Sequence, residues 1–87
     1  MHLYLADCQS LKEKRARIKP VLHRLHREFN VSTAELDLND IWKNAVIGVA
    51  CIGNDVTHIR QVLQTILEFT EYNWPDIEII KFEIEIL

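Results

Sequence analysis

Apolar residues recur along this chain with two different periods, and the changes of period divide it into six segments. His2-Leu3-Tyr4-Leu5-Ala6 is short and mostly apolar, with Leu3 and Leu5 on one side, which predicts a strand. From Leu11 the period lengthens: Leu11, Ile18, Leu22, Leu25 and Phe29 recur at spacings of seven, four, three and four, the stripe of an amphipathic helix. Ser10 stands at the N-cap position with Glu13 three residues later, a capping box that satisfies two orphan backbone donors. Pro20 lacks an N–H and crowds the preceding turn, so a kink between Ala16 and Pro20 is expected within one bent helix that Asn30 ends.

The period then shortens. Over Val31 to Leu38, Ala34, Leu36 and Leu38 alternate with Glu35 and Asp37, which predicts a half-exposed strand with both acids on its solvent side. Asn39-Asp40-Ile41-Trp42-Lys43-Asn44 supplies turn-forming residues, and Ala45 to Ile52 is a continuous apolar run of strand length, so the two strands form a hairpin. After Gly53-Asn54-Asp55, a turn with a cap, the residues Val56, Ile59, Val62, Leu63, Ile66, Leu67 and Phe69 keep helical spacing to about Tyr72, where Trp74-Pro75-Asp76 stops the helix. In Ile77 to Leu87 the residues Ile80, Phe82, Ile84 and Ile86 share one side, and Ile77 and Ile79 are out of phase with them, which predicts a bulge or bend.

The order βαββαβ, with two helical stripes to bury and right-handed crossovers, predicts an α+β, ferredoxin-like two-layer sandwich: a four-stranded antiparallel sheet with both helices on one face. Residues 1–87 form a single domain, with 48% hydrophobic residues and only 2 Gly and 2 Pro, enough apolar surface to offset the ordering entropy of one core. No run approaches the apolar length of a membrane span, and the first residues lack the basic and apolar regions of a signal peptide, so a cytoplasmic protein with no membrane partner is expected. Cys8 and Cys51 have no CxxC spacing and read as reduced thiols.

Charge adds a feature that periodicity does not contain. Residues 10–29 hold seven basic residues against two acidic ones, a net of +5, while the rest of the chain holds three against eleven, a net of −8. The overall −3 therefore conceals a dipolar molecule.

Three pieces of sequence carry a family resemblance: Ser10-Leu11-Lys12-Glu13-Lys14-Arg15; Phe29-Asn30-Val31-Ser32 with Ala34-Glu35; and Asp40 before Trp42 and the following apolar strand. Residues 10–50 resemble the small bacterial YlxP-like family of uncharacterised proteins, more loosely so after residue 55. The resemblance implies a ferredoxin-like fold and no established activity. The family's gene neighbourhood, among transcription, translation initiation and ribosome maturation, implies an RNA-related role. Members usually begin the first strand several residues earlier, so a shortened first strand is expected here.

On a helical wheel Lys12, Arg15, Lys19, His23 and His26 fall along one flank of the first helix, Lys14 borders the apolar stripe, and Arg17 and Arg24 share the other flank with Glu28. Crowding Lys12, Lys14 and Arg15 into the first turns opposes the helix dipole, which suggests that an anion belongs there. Ser10, Lys12, Lys14, Arg15, Lys19 and His23 are the candidate nucleic-acid-binding residues, contacting an RNA or ribosomal phosphate backbone, with a plain solvated face as the alternative. Tyr4 is the one aromatic placed for base stacking on the open sheet face, which argues against reading bases there. Trp42 is the candidate partner contact, and Trp74 is expected to pack under a helix end.

No catalytic residue, metal or cofactor is expected. His23 and His26 are spaced i, i+3 without further ligand spacing, Glu35 and Asp37 read as ordinary strand acids, and two glycines cannot build a phosphate loop. The rival class is a homodimer or other homo-oligomeric interaction module, formed by pairing the fairly apolar open sheet face or the sheet edges.

Overall fold

A computed structural model describes residues 1–38 and 40–87 of the chain; Asn39, the first residue of the expected hairpin turn, lies outside the described residues. The elements are β1 (His2–Tyr4), α1 (Leu11–Phe29), β2 (Ser32–Asp37), β3 (Asn44–Ala50), α2 (Val56–Asn73) and β4 (Glu78–Lys81). The strands order as β2-β3-β1-β4, and every neighbouring pair is antiparallel. This is the ferredoxin-like sandwich that the alternation of periods predicts.

The core lies between helices and sheet. Leu3 and Leu5 from the first strand and its continuation, Ala45 and Ile47 from β3, Ile18, Val21 and Leu25 from α1, and Ile66 from α2 are all buried there. α1 is one helix from Leu11 to Phe29 that runs through Pro20, whose ring is exposed. Asn30 closes it in the left-handed conformation (φ 52°) and returns its N–H to His26 O at 3.1 Å. Trp74 ends α2 with its N–H on Thr70 O and packs edge-on to Phe69, as expected.

Two strands differ from expectation. β4 is irregular where Ile77 and Ile79 lose phase, its register shifting between His2 and Leu3 of β1, but its ladder ends at Lys81 and not at Leu87. β1 itself ends at Tyr4, two residues short of Ala6. In β2 the phase is inverted: Thr33 Oγ1 donates to Leu22 O of α1 at 3.0 Å and Glu35 faces the helices, while Leu36 is exposed beside Gly48 on the open face. Ala34 and Leu36, expected in the core, thus lie on the side that carries no helix.

The inversion has a polar cause. Lys14 is fully buried at 1% exposure, and its ammonium donates to Leu38 O at 2.6 Å, Ile41 O at 2.7 Å and Asn44 O at 2.9 Å. Three carbonyls match the three N–H bonds of an ammonium. Glu35 Oε2 lies 2.9 Å from the same nitrogen as an ion-pair contact and is buried without a hydrogen bond of its own. Leu38 adopts φ 61°, a conformation costing a non-glycine residue about 1–2 kcal/mol, and its carbonyl receives Lys14.

A buried ammonium alone costs several kcal/mol, so removing one partner leaves the others uncompensated. Lys14→Met is expected to lower the free energy of unfolding by about 3–5 kcal/mol in a urea titration followed by circular dichroism. Adding Glu35→Leu is expected to recover part of that loss, because the unpaired buried carboxylate goes with it. A loss below about 1 kcal/mol for Lys14→Met would show that the cluster contributes little to stability.

Candidate nucleic-acid interface

The seven basic residues of α1 divide by what they touch. Lys14 is taken by the hairpin. Arg17 pairs with Asp76 at 3.0 Å, beyond the end of α2. Arg24 lies over the Phe69 ring at 5.0 Å and the Trp74 ring at 5.8 Å, a cation–π contact that fixes its guanidinium against α2. Arg27 reaches Glu28 at 4.0 Å near the helix end. Lys12, Arg15 and Lys19 are exposed and have no ion-pair partner among the described residues.

The free cations therefore all lie on the single flank that the wheel assigns to them. His23 is exposed and extends the same line one turn further, whereas the Nδ1 of His26, also on that flank, is engaged with Val31 O at 2.6 Å. From Lys12 to His23 the line runs about 16 Å along the axis. Lys14 must be withdrawn from the candidate set: its ammonium points into the fold and has no free donor for a phosphate.

The helix start also changes meaning. Ser10 is extended (φ −162°), and its Oγ accepts the Glu13 N–H at 3.1 Å, the first half of the expected capping box. The Glu13 carboxylate reaches past the cap to accept the Gln9 N–H at 2.8 Å. An anion is indeed present at the start of α1, and it is supplied by the helix itself. External phosphate would compete with Glu13 there, so Ser10 serves as a cap, and the exposed flank is the part of the candidate set open to a ligand.

The acidic candidates do not converge. Glu35 turns to the helices, while Asp37 accepts the Leu38 N–H at 2.8 Å, and among the described residues no three His, Cys, Asp or Glu side chains gather as metal ligands would. Cys8 is buried with its Sγ directed to Ser10 O, and Cys51 is half-buried and unpaired. Trp42 is half-exposed in the hairpin connection, next to Ile41, whose carbonyl Lys14 holds. Among the described residues no helix is long and apolar enough to cross a membrane.

One pairing escaped the residue pattern, that of Lys14 with Glu35. A signal for it exists: positions 11, 14, 18, 21 and 25 repeat at three and four, so the seven-residue gap in the apolar stripe is filled by a lysine. A charged residue at a core position implies a buried partner.

Residues 1–84 match the family described as "Protein of unknown function (DUF503)". The uncharacterized protein YlxP of Bacillus subtilis (strain 168) is 38% identical over 72 residues, covering 83% of this chain and 77% of that protein. Two of the sequence pieces that carry the resemblance, Ser10 to Arg15 and Ala34-Glu35, meet in space where Lys14 contacts Glu35. From its first strand to the residues beyond β4, this chain is a member of the DUF503 family.

Proposed function

We propose that the protein is a non-enzymatic RNA- or ribosome-associated binding protein that contacts phosphate through Lys12, Arg15, Lys19 and His23. The observation that carries this reading is the sorting of charge on α1: Lys14, Arg17 and Arg24 are held against the fold, and among the described residues Lys12, Arg15 and Lys19 along one outer flank have no partner. Lys12, Arg15 and Lys19 form a row of cations about 10 Å long that His23 extends to about 16 Å, and such a row suits an extended polyanion, whose bound counterions it displaces. The acidic remainder of the chain orients such a ligand toward α1 by repelling it elsewhere.

Filter binding of structured RNA across a salt series tests the proposal. Affinity is expected to fall with rising salt, Lys12→Ala to reduce the slope of log K against log salt by about 0.7–0.9, and Lys12→Glu with Arg15→Glu and Lys19→Glu to abolish binding. Absence of salt-dependent binding at low ionic strength would overturn it. Crosslinking in cells then identifies whether ribosomal RNA is the species recovered.

A second reading is favoured by a separate observation. The open sheet face carries Leu36 at 65% exposure, with Ala34 beside it on the strand, an apolar surface suited to a homodimer. Light scattering discriminates: a dimer that Leu36→Asp converts to monomer supports sheet-face pairing, and a monomeric wild type removes it. For Trp42 as a partner contact, Trp42→Ala is expected to cost less than about 1 kcal/mol of stability by urea titration, since half the side chain is exposed. A loss above about 3 kcal/mol would make it a core residue.

A further inference from the structure

The connection between β2 and β3 is fixed at several points and leaves one large side chain unused. Lys14 holds the carbonyls of Leu38, Ile41 and Asn44, Lys43 O accepts the Leu5 N–H at 2.7 Å, and the Ile41 N–H closes a turn on Leu38 O at 3.0 Å. The residues on both sides of Trp42 are therefore anchored through their carbonyls, one to α1 and one to the chain that follows β1. Trp42 itself is half-exposed, outside the buried core and the residues packed against it.

The indole has no partner for its flat face. Phe29, Phe69 and Trp74 pack edge-on in series and Arg24 lies over two of those rings, but among the described residues no ring or cation covers Trp42. Ile41 beside it is likewise half-exposed. An anchored backbone thus presents an uncovered aromatic face to solvent, an arrangement suited to stacking.

We propose that Trp42 stacks on an unpaired nucleobase of an RNA whose phosphates lie along Lys12, Arg15 and Lys19, an assignment that rests on that row being a phosphate contact. Lys14, whose ammonium holds the residue before Trp42, shares a helical turn with Lys12 and Arg15, so the indole and the start of the row are separated by little more than one lysine side chain and one turn of helix. Lys43, the residue after Trp42, is exposed and has no ion-pair partner among the described residues, which supplies a phosphate contact for the nucleotide that stacks. A paired base has both faces covered by its neighbours in the duplex, so the ligand is RNA with a bulge, a loop or a single-stranded end beside its backbone tract.

Charge favours a base over an apolar protein surface. Trp42 is bracketed in the chain by Asp40 and Lys43, both exposed and without ion-pair partners among the described residues. A protein contact centred on the indole would desolvate both, and Lys and Asp are depleted from the centres of protein interfaces. An RNA uses them instead: Lys43 draws the phosphate, Asp40 repels it, and the uncharged base takes the place over the indole. Stacking of this kind tolerates any base, because every base has a π-face.

The test titrates the whole chain with two probes across a salt series, a short RNA duplex carrying one bulged adenosine and the same duplex without the bulge. With Trp74→Phe, which keeps an aromatic ring against Phe69, Trp42 is the sole indole of the chain. Its fluorescence is expected to be quenched by the bulged RNA and not by the paired one, and the bulged RNA to bind about 5- to 100-fold more tightly. Trp42→Ala is expected to remove that preference and leave the slope of log K against log salt unchanged, because stacking displaces no counterions, while Trp42→Phe restores most of the preference. Equal salt-dependent binding of the two RNAs, or binding without quenching, would overturn the stacking and leave the phosphate row standing, whereas no salt-dependent binding of either RNA would remove both. A photocrosslinker in place of Trp42 that captures protein and no RNA in cells would overturn it in favour of a protein contact.

Discussion

The fold rests on placing one positive charge where water cannot reach it. Lys14 gathers two carbonyls from the connection between β2 and β3, a third from the first residue of β3, and a carboxylate from β2 itself, onto a single nitrogen on α1. An apolar residue of similar length would fill the space and leave those carbonyls without donors. The cluster therefore does what apolar packing cannot: it selects one register for β2, because a shift by one residue would turn Glu35 to solvent and bring Leu36 inward. The apolar open face follows from that selection and is the surface left over once Glu35 is committed to the helices.

The same commitment separates two kinds of basic residue that the sequence presents as one run. Lys14, Arg17 and Arg24 hold α1 to the hairpin, to the turn after α2 and to the aromatic cluster of Phe69 and Trp74. Lys12, Arg15 and Lys19 differ from them only by rotation around the helix axis. Much of the positive charge that makes residues 10–29 conspicuous is thus structural, and what remains for a ligand is a narrower row.

Element order, both helices and the hairpin were legible from period alone, because apolar spacing reports which face of each element is covered. The face of β2 was not, since Ala34, Leu36 and Leu38 present a clean alternation of the opposite phase. Pattern reading assumes that a charged residue faces water, and Lys14 and Glu35 break that assumption jointly, each making the other's burial tolerable. The extent of β4 was likewise illegible: the alternation of 82–87 states that the segment can be a strand, but a ladder also needs a paired neighbour, and the observed one ends at Lys81. For the candidate site, the wheel identified the exposed flank correctly in direction, while the cap at Ser10 and the anion at the helix start were reassigned by Glu13, whose reach to Gln9 is a matter of rotamer and not of spacing.

The carbonyl of Ile41 belongs to the peptide unit that leads directly into Trp42, and Lys14 grips it from between Lys12 and Arg15. The indole and the cationic row are consequently mounted on one frame, joined through a single buried nitrogen. A ligand touching both would meet two backbone segments already held relative to one another, so little main-chain ordering entropy is left to lose on binding. Conversely, a partner that pulled the hairpin tip aside would draw on the first turn of α1, making the loop and the charged flank a mechanically coupled pair.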